Sequence, residues 1–141
     1  MKIILDTNVL VAAFRSKQGT SFRMLELLER DDPRWQVNVS TALILEYEAV
    51  LKREIHRQGR DMALVDRFLD DFVAKANRHS IFFLLRPYLR DADDDFILEL
   101  AFASQTQYIV TYNLNNFTAA KQIGIDVLTP QQFLRQIGEL A

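Results

Sequence analysis

Short apolar runs alternate with amphipathic stretches along most of the chain, and this alternation restricts the fold more than any single residue does. Ile3 to Leu5 reads as a buried strand, followed by a helix from Val9 to Phe14 that Thr7 or Asn8 could cap. Ser21 to Leu28 carries Phe22, Leu25 and Leu28 at helical spacing, and Trp35 to Val39 has the alternation of a second strand. Ser40 or Thr41 can cap the next helix, which runs through Leu43, Tyr47 and Leu51 until Gly59 ends it. Met62 to Ala76 marks a further helix, and Ile81 to Leu85 is a strand or a buried connector. Asp94 to Ser104 is helical, while Tyr108 to Val110 and Ile125 to Leu128 are strands. Thr129-Pro130 then supplies the cap and first-turn proline of a last helix. Strands separated by helices imply a parallel sheet covered on both faces. Ligands of such sheets sit beyond the carboxyl ends of the strands, where strand order reverses. Asp6 stands at such an end.

The 141 residues suffice for one domain with a sizeable core, and residues 1–141 are read as a single unit. A formal net charge of −2 gives no overall basic field, so any contact with nucleic acid must be local. The absence of cysteine excludes disulfides, thiolate zinc sites and a cysteine nucleophile, and only His56 and His79 offer imidazole. The apolar run near the N-terminus is broken at once by Asp6, so it reads as neither a signal peptide nor a membrane span. A cytoplasmic location is expected.

The chemistry is carried by acids. Asp6 is answered far along the chain by Asp91-Ala92-Asp93-Asp94-Asp95, which opens an apolar helix. Ile97, Leu98 and Ala101 follow Asp94 at helical spacing, so Asp94 should face inward. A helix N-terminus favours one anion, but mutual repulsion among several carboxylates argues for a cation. The plainer readings are that Asp6 caps a helix or accepts in an Asx turn, and that Asp91, Asp93 and Asp95 cap or face solvent. Helical geometry leaves Glu46 and Glu48 as equal candidates for a middle acid. Thr111 and Asn113 emerge after a strand at the same sheet edge, either for function or for turn formation.

These segments resemble the PIN domain family, specifically the VapC-type nuclease toxins of toxin–antitoxin pairs. The carriers are Leu5-Asp6-Thr7-Asn8-Val9-Leu10, Ser40 through Leu51 with Glu46-Tyr47 inside, Asp91 through Ala101, Ile109-Val110-Thr111 before Asn113, and Thr129-Pro130 with Phe133-Leu134. The resemblance implies a three-layer α/β sandwich, a central parallel sheet of four to five strands flanked by helices. It implies a metal-dependent endoribonuclease, with Mg²⁺ or Mn²⁺ held chiefly by Asp6 and Asp94. Glu46, rather than Glu48, would be the middle acid, and Asn8, Asp91, Asp95 and Thr111 would support the site. Where many members carry a fourth acid this chain has Asn113, which keeps an oxygen but removes a charge and should weaken a second metal position. RNA substrate, a small antitoxin and a homodimer are the partners implied.

Cations that could hold phosphates beside such a site are Arg15, Lys17, Lys52, Arg53, Arg57, Arg86 and Arg90. Tyr112 and Phe117 lie near the same edge and could stack bases, but aromatic residues more often pack, and neither is placed in the site. Two competing readings are a nuclease scaffold, weakened at Asn113, that serves as a binding protein, and an Asp-phosphorylated receiver or phosphatase-like domain. The latter fits poorly, since Asn8 stands where a phosphatase would carry its second acid and no lysine closes the strand at Thr111.

Overall fold

The computed structural model describes residues 1–30, 32–80 and 95–140. Its strands are β1 (Lys2–Leu5), β2 (Gln36–Ser40), β3 (Asn77–His79), β4 (Tyr108–Val110) and β5 (Asp126–Leu128). All pair in parallel, in the order β3-β2-β1-β4-β5. Ile3, Ile4 and Leu5 of the central strand are completely buried, as a parallel strand covered on both faces requires. The α/β sandwich is therefore the architecture found, with five strands.

The helices are α1 (Thr7–Arg15), α2 (Thr20–Glu29), α3 (Thr41–Arg57), α4 (Ala63–Lys75), α5 (Asp95–Ser104) and α6 (Pro130–Gln136), with a 3₁₀ segment at Leu114–Ile123. Helix α1 packs on α2 and α3, α3 on α4, and α2 on α6. Helix α5 contacts β2, β3 and α3. Among the described residues no helix is long and apolar enough to cross a membrane.

Local signals explain most boundaries. Ser40 accepts the Leu43 N–H at the start of α3, and Thr129 with Gln132 forms a full capping box on α6. Gly59, at φ +71, lets the chain turn away after α3. Two expectations are corrected. Helix α1 begins at Thr7 itself and is capped by Asp6, not by Thr7 or Asn8. A strand of polar residues, Asn77–His79, precedes Ile81 to Leu85, a segment that lies outside the described residues. As an edge strand β3 needs only its backbone ladder to β2, so it shows no apolar pattern.

Candidate active site at the carboxyl edge of the sheet

From β1 the chain passes outward to β2 and β3 and then returns to β4 on the other side of β1. The reversal thus falls between β1 and β4, which pair through Leu5 and Val110. The next residue on each strand is Asp6 and Thr111, so the register alone sets these two side by side at the position where open parallel sheets bind ligands.

Asp6 is only 5 % exposed. Its Oδ1 accepts the Thr7 N–H at 2.8 Å, and its Oδ2 accepts the Thr111 hydroxyl at 2.7 Å and the Asn8 amide at 3.3 Å. Thr111, at 0 % exposure, also accepts from Asn8 Nδ2 at 3.2 Å and from the Asn113 N–H at 3.0 Å. One donor and two acceptor positions are all that a hydroxyl has, so Thr111 is saturated and its rotor is fixed toward Asp6. The Asn8 side-chain Oδ1 accepts the Tyr112 N–H at 3.2 Å and closes the mesh between the two strand ends.

A second carboxylate joins through Thr7, whose hydroxyl donates to Glu46 Oε2. Glu48 turns elsewhere, pairing with Lys52 at 2.9 Å. Thr7 therefore holds Asp6 with its backbone and Glu46 with its side chain. Beneath them the buried Tyr47 hydroxyl donates to the Leu5 carbonyl. Burial first, then the negative charges of Asp6 and Glu46, push the Tyr47 phenol well above its ordinary pKa, so it stays a neutral donor. Burial also pushes the Asp6 carboxyl upward, opposed by the hydrogen bonds from Thr111 and Thr7.

Among the described residues Asp6 has no ion pair, so its negative charge is buried with hydrogen bonds but without a counter-charge. The donors gathered here are all oxygen. That set suits a hard divalent cation, and Mg²⁺ engages one or two carboxylates while keeping water and phosphate in its remaining positions. No group of three His, Cys, Asp or Glu side chains able to hold a metal occurs among the described residues. Asp91, Asp93 and Asp94 lie outside those residues, as do Arg86 and Arg90.

Asp95 is described and differs from the solvated reading: it opens α5 at 0 % exposure, with the equally enclosed Glu99 one turn on. Both are engaged by neighbouring groups. Asn113 is exposed and contributes its N–H to Thr111. Several of the expected phosphate-binding cations are placed otherwise. Arg15 lies roughly 12 Å along the α1 axis from Thr7, and Arg57 roughly 16 Å along α3 from Glu46, at about 1.5 Å per residue. Both grip the buried Glu54, at 2.5 Å and 2.7 Å, and Lys52 pairs with Glu48 and Asp66. Arg78, in the middle of β3, has no apolar signal around it in the sequence and donates to the Thr41 hydroxyl at 3.1 Å. Its place on a polar edge strand hid it.

A cavity of about 520 Å³ opens at the opposite, amino-terminal edge, lined by Met1, Lys2, Trp35, Gln36, Phe68 and Phe72. It includes none of the acids described above. Size alone does not make it the reactive centre, because the convergent polar groups lie at the other end of the strands.

The family model of the PIN domain matches residues 2–115, which span β1 to the turn after β4 and contain every acid named above. The chain belongs to the PIN domain family, whose members are typically nucleases. No curated protein matches the chain.

Proposed function

We propose that this PIN domain is a metal-dependent endoribonuclease of the cytoplasm, acting as the toxin of a VapC-type pair that a small antitoxin restrains. The observation that carries the nuclease reading is the buried carboxylate of Asp6, wired to Thr111 across the strand-order reversal and joined to Glu46 through Thr7. Asp6 and Glu46, with Asp94 from the acidic run, would hold Mg²⁺ or Mn²⁺. When bound, the cation supplies Lewis acidity, offsetting charge on the scissile phosphate and making water a competent nucleophile near neutral pH.

The chain's own contribution is preorganisation. Thr111, Asn8 and the Thr7 N–H hold both oxygens of Asp6 through hydrogen bonds within the chain, which limits the reorganisation that binding a cation requires. Thr7 sets the direction of Glu46, and Tyr47 braces the strand end from below. Asn113 brings no charge of its own, which favours one strong cation position over two.

Cleavage of RNA by the purified chain, beside Asp6→Ala and with a chelator, tests the reading. Activity lost in both arms supports it, and equal activity in wild type and variant refutes it. The toxin role rests on the resemblance of the motifs to VapC-type chains. Its test is growth arrest on expression, relieved by the neighbouring reading frame; arrest that Asp6→Ala also produces would contradict it.

A further inference from the structure

Tyr112 follows Thr111 directly, yet the residue is 45 % exposed, one of the large hydrophobic residues left bare among the described residues. An exposed ring in a turn would ordinarily be free to swing. This one is tied at both ends. Its N–H is bound by Asn8 Oδ1 at 3.2 Å, and its hydroxyl meets Ser21 Oγ at 2.6 Å. Ser21, in the first turn of α2, is 1 % exposed, so the phenol is anchored to a group that cannot follow it into solvent. The polar tip is engaged while the residue as a whole stays exposed, one residue from the hydroxyl that donates to Asp6.

Phe117 provides the contrast. It is fully buried and acts as a core residue. Tyr112 has two rotatable side-chain bonds, both restrained by the Ser21 contact, so covering its ring costs little conformational entropy. A flat apolar face beside a phosphate-cleaving centre is complementary to a nucleobase. In a duplex the bases are stacked on one another and unavailable, whereas unpaired RNA presents them.

We infer that Tyr112 is a substrate-positioning residue, a pre-tethered platform on which an unpaired base of the RNA stacks so that the adjoining phosphate is presented to Asp6 and Glu46. This rests on the nuclease reading and adds to it a residue that orients the RNA. The residue acts through orientation of substrate and takes no part in bond making or breaking. Ser21 acts one step further out, by holding the ring.

The test is direct binding, followed by fluorescence anisotropy with chelator present so that no cleavage intervenes. The probes are a labelled single-stranded oligouridylate, the same oligomer with abasic sites, and a duplex. Wild type is expected to prefer the base-bearing strand over both others. Tyr112→Ala and Tyr112→Leu should weaken binding of that strand about 5- to 100-fold while leaving abasic binding unchanged, and Tyr112→Phe and Tyr112→Trp, which keep a stacking face but lose the tie to Ser21, should fall between wild type and Tyr112→Leu. Wild-type protein that binds the abasic and base-bearing strands equally overturns the proposal, and this comparison depends on no variant folding. Equal affinity of wild type and a folded Tyr112→Leu for the base-bearing strand overturns it as well. Metal-dependent cleavage is read separately. If cleavage is absent while base-dependent binding persists, the nuclease reading fails and the platform stands; if cleavage persists while base dependence is absent, the reverse holds.

Discussion

The Thr111 hydroxyl, at the end of β4, donates to Oδ2 of Asp6, at the end of β1, across 2.7 Å. Its other two hydrogen-bonding positions are taken by Asn8 and Asn113, so it cannot rotate away without breaking three contacts. A neutral hydroxyl thereby sets the direction of a buried carboxylate.

Thr111→Val keeps the shape and removes the hydroxyl. A hydrogen bond to a charged group is worth roughly 1.5–3 kcal/mol, so kcat/KM for RNA should fall about 10- to 100-fold. Steady-state kinetics at saturating Mg²⁺ checks this. Because Asn8 and the Asn113 N–H also lose their acceptor, the melting temperature should fall too. Unchanged kinetics would mean that Asp6 needs no orientation from β4.

Glu46 and Glu48 separate cleanly. Glu46→Gln removes the charge that Thr7 brings toward Asp6 and should lower RNA cleavage by at least about tenfold, a typical cost for weakening a metal site. Glu48→Gln breaks an outward pair with Lys52 and should leave cleavage unaltered, with a stability change of about 0.5 kcal/mol or less. Side-by-side assays decide it, and equal losses in both would remove Glu46 from the site.

The helical side of this comparison shows what the sequence could convey. Both glutamates border the apolar stripe of α3, and periodicity cannot rank them; the distinction comes from Thr7, remote in sequence and set by where α1 starts. Strands Lys2–Leu5 and Tyr108–Val110 announce themselves because burial on two faces demands apolar runs, Gln36–Ser40 through its alternation from Trp35 to Val39, and the half-exposed edge strand Asp126–Leu128 through the flanking Ile125 and the valine and leucine it carries. Strand β3 does not, since an edge strand of Asn77, Arg78 and His79 pairs through its backbone. The cations were misleading for a related reason. Proximity in sequence to Glu46 suggested that Arg57 serves substrate, but a long helix carries it away from the carboxyl edge to Glu54.

Glu54 offers a pH test independent of the site. The guanidinium of Arg15, then that of Arg57, hold its carboxyl down to about 2. An acid with a depressed native pKa stabilises the fold above its unfolded value, near 4.5, and loses that contribution as pH falls toward about 2. Glu54→Gln should therefore be less stable than wild type at pH 7 by roughly 1.5–3 kcal/mol, the range for hydrogen bonds to a charged group. The gap should shrink below pH 4.5 and close near pH 2. Denaturant unfolding across this range reads it directly, and a gap independent of pH would show that packing, not charge, holds Glu54.

Binding of a divalent cation is the central claim, and Mn²⁺ titration of wild type and Asp6→Asn tests it most directly, by calorimetry and by melting temperature. Without metal, Asp6→Asn should melt no lower than wild type, because it relieves a buried carboxylate that has no ion pair among the described residues. With saturating Mn²⁺ the wild type should rise by several degrees and the variant should not, since a ligand stabilises only the state that binds it. Equal Mn²⁺ affinity and equal thermal shifts in the two proteins would contradict the account.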